Sequence, residues 1–185
     1  MSTGWILAAV AAAIVVYLIV VFNRLVRQRN VVREGWSGID VQLKRRTDLV
    51  PNLVETVKGY AAHERSLFEE IASRRAASVA ASDVGGQANA ERALSGSLGK
   101  LMAVAEAYPD LKASTSFLEL QKQLSELENE LQMSRRYYNG TVRNLNTLIQ
   151  TVPSNFIAAA GGFTPRPYFE AGEGDRAVPQ VALDR

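Results

Sequence analysis

The chain contains no cysteine and a single histidine, His63. The first absence removes disulfides, thiolate metal sites, cysteine nucleophiles and a lipid-modified cysteine. The second leaves one imidazole for any histidine-based chemistry. Charge is missing from one place: residues 1–23 hold no Asp, Glu, Lys or Arg. Strand-like alternation of useful length and internal repeats are missing throughout. What remains is a chain of 185 residues, 47% apolar, with length for one domain and material for a modest core.

The charge that is present is distributed unevenly. Residues 24–46 carry seven Lys/Arg against two acids, a net +5, and residues 47–185 carry fourteen against seventeen, a net −3. A nucleic-acid binder would spread basic groups over a folded face, so no nucleic acid is expected as a partner. The run 5–22, WILAAVAAAIVVYLIVVF, has about the eighteen to twenty uncharged residues that a helix needs to cross a hydrocarbon core. It ends in VVFNRLVRQR, with no small-residue cleavage motif, so the reading is an uncleaved anchor rather than a signal peptide. Arg24, Arg27, Arg29 and Arg33 flank only its C-terminal end. That bias predicts the N-terminus outside and the body in the cytoplasm, with these four arginines near anionic head groups of the membrane lipid.

Beyond the anchor, apolar positions step by three and four. Trp36, Ile39, Leu43, Val50, Leu53, Val57, Tyr60, Leu67 and Ile71 form one seam, interrupted by Arg46 and Glu64. The pattern predicts a first long helix running towards Ala81, where SDVGGQ supplies turn residues. Pro51 would bend this helix and free the carbonyl of Thr47, or else open a new helix capped by Asp48. At helical rise Arg46 and Glu64 lie about 27 Å apart and cannot pair with each other, so each needs another helix, water or a neighbouring chain. A second helix is expected over 88–107, with Leu94, Leu98, Leu101 and Ala105 on one face. A third runs from 112 to 152 through Phe117, Leu120, Leu124, Leu127, Leu131, Tyr138, Leu145 and Leu148. Pro153 closes the third helix or opens a short fourth to Ala160.

Catalytic motifs do not complete themselves. His63-Glu64 resembles the start of HExxH, but Leu67 stands where the second histidine belongs. Gly96 to Lys100, GSLGK, lacks the first glycine of a phosphate loop, with Leu94 at that position, and Leu101 replaces the Ser/Thr that would hold magnesium. No catalysis, metal or cofactor is expected.

Three blocks carry a family resemblance: 29–64, with RN, WSGID and VQLKRRTDLVPNLVETVKGYAAHE; 135–158, RRYYNGTVRNLNTLIQTVPSNFIA; and 163–170, FTPRPYFE. In order and spacing they resemble the LemA family. Gly35 stands where alanine is usual before the tryptophan, and Leu145 where an aromatic often precedes Asn146; the glycine would loosen the junction between anchor and bundle. The resemblance implies a bacterial single-pass membrane protein with an elongated helical bundle and no established catalytic activity. It also implies a partner class, membrane proteins of quality control or envelope stress, a membrane protease among them.

The resulting expectation is an all-α protein: a transmembrane helix followed by an elongated antiparallel bundle of three long helices and a short fourth. The divisions are 1–23 anchor, 24–35 basic juxtamembrane segment, 36–160 bundle, and 161–185 a partly disordered tail whose aromatics Phe163, Tyr168 and Phe169 dock on the bundle. The expected function is a membrane-anchored scaffold or adaptor that self-associates as a homo-oligomer and organises envelope proteins. A module that binds or shapes the lipid surface is the alternative. The residues assigned to the assembly seam are Arg45, Arg46, Asp48, Pro51, Asn52, His63, Glu64, Asn139 and Asn146.

Overall fold

A computed structural model describes residues 3–169, all of whose regular structure is helical: α1 Thr3–Lys58, α2 Arg65–Ala80, α3 Val84–Glu106, α4 Pro109–Lys112, α5 Thr115–Gln150 and α6 Ser154–Ala160. The remainder of the expected tail, 170–185, lies outside the described residues. The described residues form two compact units, one of 3–40 with 132–168, the other of 41–131 with Phe169. Each has its own apolar interior.

In the second unit the interior is built from Val50, Leu53 and Val57 of α1, Leu67, Phe68 and Ile71 of α2, Leu94, Leu98 and Leu101 of α3, Leu111 and Phe117. These are the positions the three-four spacing selects, because residues so spaced share one face of a helix. The spacing misleads at one point. The seam predicts a single helix towards Ala81, whereas α1 stops at Lys58 and α2 starts at Arg65. Gly59, which costs a helix interior about 1 kcal/mol relative to alanine, follows Lys58. Tyr60 N–H and Ala61 N–H both close onto Val57 O, at 3.0 and 2.9 Å, and Tyr60 is left exposed. The turn brings Leu67, Phe68 and Ile71 onto the core that Val50, Leu53 and Val57 already line. Burial of that face outweighs continuing the helix, and the apolar spacing happens to stay in phase across the turn.

α3 also begins earlier than the glycines suggest. Asp83 caps it, its carboxylate accepting from Gly86 N–H at 2.8 Å. A Cβ on Gly86 would lie 2.8 Å from Asp83 Oδ2, so the glycine admits the cap rather than ending a helix. Pro109 opens the short α4, whose Leu111 is fully buried. The charge pairs of this unit include Glu70, which accepts from Lys100 and from Ser97 Oγ, both within 3.1 Å. Those bonds, Lys100 first, hold the Glu70 carboxyl below the usual carboxylate range. Their contribution is present above that range and lost as the pH falls from it through the lowered value.

Pro51 sits inside α1 without interrupting it, and Asp48 opens no new helix. Lacking an N–H, Pro51 cannot satisfy the carbonyl one turn back, which is that of Thr47. Arg75 of α2 supplies the missing donor: its Nε bonds to Thr47 O at 2.6 Å. The proline and the arginine therefore act as a pair. Arg75→Ala is expected to lower the free energy of unfolding by about 1.5–3 kcal/mol, as for a hydrogen bond to a charged group. The loss should shrink in a chain that also carries Pro51→Ala, whose N–H reaches Thr47 O within the helix. Denaturant unfolding of the four chains, followed by helical circular dichroism, gives the coupling, and additive losses would contradict it.

In the first unit Val21, Leu25, Val32 and Ile39 of α1 are buried, as are Tyr138, Val142 and Leu145 of α5 and Ala158 of α6. Gly35, expected to loosen the chain, does the reverse. A Cβ there would lie 3.3 Å from Tyr138 Cα and 3.4 Å from both Thr141 Oγ1 and a Tyr137 ring carbon, so α1 and α5 approach backbone to backbone. Trp36, the next residue, meets Tyr138 edge-on with ring centroids 5.7 Å apart.

Candidate interaction site

Arg46 occupies an apolar seam position and is 8% exposed. Its guanidinium Nη1 lies 3.1 Å from Glu91 Oε2 of α3 and 3.1 Å from Glu128 Oε2 of α5. Glu91 is buried at 1% exposure, and its second oxygen accepts from Ser78 Oγ of α2 at 2.8 Å. Four helices thus meet at one charge cluster whose buried carboxylate is bonded on both oxygens. An unpaired ion here would cost several kcal/mol, so the arrangement survives only because it is closed. Next to it Arg45 makes an exposed bridge to Glu130 at 2.9 Å. A bridge of that kind contributes little by itself.

The other seam residues divide by position. Asp48 and Asn52 are exposed and line a shallow pocket with Arg45, Gln123, Glu126 and Glu130. Pro51 is half-buried in the wall of a groove of about 510 Å³ between α1 and α2, together with Val54, Phe68 and Ala72. Glu55, Lys58, Arg65, Glu69 and Arg75 form its charged lining. His63 is exposed in the turn before α2, and Glu64 stands at the start of that helix, half-buried, without a side-chain capping bond. Neither lies in the Arg46 cluster. Among the described residues no group of three or more His, Asp or Glu is placed to hold a metal ion.

Asn146 belongs to the first unit and is buried. Its amide clamps one residue of the segment after α6: Nδ2–H donates to Arg166 O at 2.9 Å, and Arg166 N–H donates to Oδ1 at 2.8 Å. Tyr138 O–H donates to Pro167 O at 2.9 Å. Burial pushes the Tyr138 phenol above its ordinary range, with the Arg166 charge opposing, and so keeps the donating form. Phe163, at the head of this strap, is buried with its ring edge-on to Phe22, centroids 5.7 Å apart, a residue of the anchor rather than of the expected bundle. Tyr168 remains exposed and Phe169 is buried. Asn139 is half-buried on α5. Arg24, Arg27 and Arg33 are exposed, whereas Arg29 is half-buried with its guanidinium 5.1 Å from the Phe163 ring centroid.

The LemA family profile matches residues 35–183. The chain belongs to the LemA family. Among curated relatives of this LemA-family chain, magnetosome protein MamQ 2 of Paramagnetospirillum magneticum is 26% identical over 198 residues, covering 91% of the chain and 73% of the relative. Magnetosome protein MamQ of Magnetospirillum gryphiswaldense aligns with the same identity and coverage. Protein LemA of Metamycoplasma hominis is 28% identical over 156 residues, covering 83% of the chain and 71% of the relative. One helix among the described residues, α1, is long and apolar enough to cross a membrane. With the family, this supports a membrane-associated bacterial protein with one candidate spanning helix among the described residues.

Sequence reasoning missed Glu91, Glu128, Ser78 and Arg75 as members of the site. Glu91 was within reach: Gln87, Glu91, Leu94, Leu98, Leu101 and Ala105 continue the three-four steps backwards, and all six are buried. A charge on an apolar face of α3 is the natural counterpart of a charge on the apolar face of α1. Arg46→Ala strands the Glu91 carboxylate and is expected to lower stability by about 3–5 kcal/mol. Arg46→Met combined with Glu91→Leu should recover much of that loss. Chemical denaturation of the full chain in detergent measures both; an unchanged midpoint for Arg46→Ala would contradict the assignment.

Proposed function

We propose that this LemA-family chain is a non-catalytic, membrane-anchored helical scaffold that self-associates and organises other envelope membrane proteins. The observation that carries this reading is the Pro51 groove. The seam charge Arg46 is consumed by Glu91 and Glu128 inside one chain, so it is not what a second chain would bind. The groove beside it remains open, with apolar side chains of α1 and α2 and charges of both signs in its lining. Such a surface suits the face of an amphipathic helix with mixed charges, read by apolar anchors along i, i+3 and i+4. The occupant is a second copy of the chain or an envelope protein, with a membrane protease as the partner class the family resemblance implies. The body lies in the cytoplasm and the N-terminus outside, as the one-sided arginines favour.

Purified in mild detergent, the chain is expected to run as an oligomer whose mass falls when Val54→Glu and Ala72→Glu place carboxylates in the groove. A monodisperse monomer across detergents and concentrations would overturn self-association. Orientation is read separately, since the chain has no cysteine of its own. An impermeant thiol reagent on intact cells should label Thr3→Cys and leave Asp184→Cys unlabelled; the opposite pattern would reverse the topology.

A further inference from the structure

The first unit contains a second stretch without charge. From 144 to 165 there is no Asp, Glu, Lys or Arg, and Arg143 and Arg166 stand at its two ends. Its tip is the turn before α6 and α6 itself, SNFIAAA. Here Val152 and Phe156 are each 68% exposed. Phenylalanine is ordinarily among the residues most often buried, and two large apolar side chains so exposed on one short element need a cover.

The neighbour of α6 says what that cover is. Phe156, Ile157, Ala160 and Gly161 line a groove of about 540 Å³ with Leu18, Ile19, Phe22 and Asn23 of α1. Leu18, Ile19 and Phe22 belong to the uncharged run that is long and apolar enough to cross a membrane. Whatever depth those residues occupy, the side chains facing them across the groove share it. Leu18 is four residues inside the end of the run at Phe22, about 6 Å at 1.5 Å per residue. Helices that lie in the interface bury their apolar faces to about 5–10 Å. The first charges on each segment, Arg24 after the spanning run and Arg143 and Arg166 around α6, then fall where ionised groups can reach water and head groups.

We propose that residues 152–161 are immersed in the bilayer beside the spanning part of α1, with lipid acyl chains covering Val152, Phe156 and the groove against Leu18 and Ile19. The chain then meets the membrane with two elements, a spanning helix and an interfacial one. The strap held by Asn146 and Tyr138 carries the backbone from α6 to the first charge, Arg166. This inference is independent of self-association: it concerns lipid rather than protein contact.

The test uses the full chain reconstituted in phosphatidylcholine vesicles, with or without bromine on the acyl chains. Phe156→Cys, Val152→Cys, Leu18→Cys and Tyr168→Cys are each labelled with an environment-sensitive fluorophore. Brominated lipid should remove most of the emission at 156 and 152, as it does at 18, while aqueous iodide has little effect there. At 168, beyond Arg166, iodide should quench and bromine should not. Emission at 152 or 156 that follows iodide overturns the proposal. So does emission that answers to neither quencher, which would mean that protein covers this face. Equal bromine quenching at 168 overturns the boundary drawn by the charges.

Discussion

Residues Arg46 and Thr47 impose the constraint on which the second unit depends. The Arg46 guanidinium is buried at a seam position, and the Thr47 carbonyl is deprived of its helical donor by Pro51. One needs carboxylates and the other needs an N–H. Arg46 finds Glu91 on α3 and Glu128 on α5, and Thr47 O finds Arg75 on α2. Two consecutive residues of α1 therefore make demands that α2, α3 and α5 meet between them. Ser78 closes the set by bonding the remaining Glu91 oxygen. Packing of Val50, Leu53, Ile71, Leu94 and Leu101 supplies the apolar driving force. It says little about register, because an apolar face slid by one turn still meets apolar side chains. The buried polar groups discriminate, since a slip leaves them unsatisfied.

How much of this was legible follows from where the information lies. Periodicity reports which face of a helix is apolar, and it located α3, α5 and the body of α1, while Pro153 marked α6. It is blind to a turn that preserves phase, which is why 36–71 reads as one helix when Gly59 to Glu64 interrupt it. The orphan carbonyl at Thr47 was legible, since the missing donor is a covalent property of proline. Its partner was not, because Arg75 lies 28 residues away and an arginine on a helix ordinarily reads as a solvated charge. Gly35 was misread for a related reason. A glycine in a sequence shows only what it lacks, and whether that lack gives slack or close approach depends on what stands opposite. Here Tyr138 Cα stands opposite.

The first unit solves a different problem, that of fixing a chain with few backbone donors. Pro165 and Pro167 bracket Arg166 and have no N–H to offer. Asn146 meets both polar groups of the one residue between them, donating to its carbonyl and accepting from its amide. A carboxamide reproduces the pairing of a neighbouring strand, because it carries a donor and an acceptor side by side on one planar carbon. Tyr138 then takes the Pro167 carbonyl while its ring meets Trp36. The strap, α5 and α1 are tied through one tyrosine and one asparagine, each selected for a bond rather than for shape alone.

These devices bear on function through what they leave free. A seam residue whose charge is satisfied inside the chain is removed from the set of surfaces a partner can use, and the same holds for Asn146 and Phe163, whose contacts are internal to their unit. Accessible in the second unit are the polar pocket at Asp48 and Asn52 and the Pro51 groove, whose apolar wall exists because α2 turns back at Gly59 and lays Phe68 and Ala72 beside Val54. The proline that would have broken α1 instead contributes an apolar surface to that groove, and Arg75, which repairs its missing bond, lies in the groove lining. An open groove and a backbone repair share residues. A partner helix seated there would contact the arginine that completes α1, so binding and the integrity of the helix are physically joined at this point.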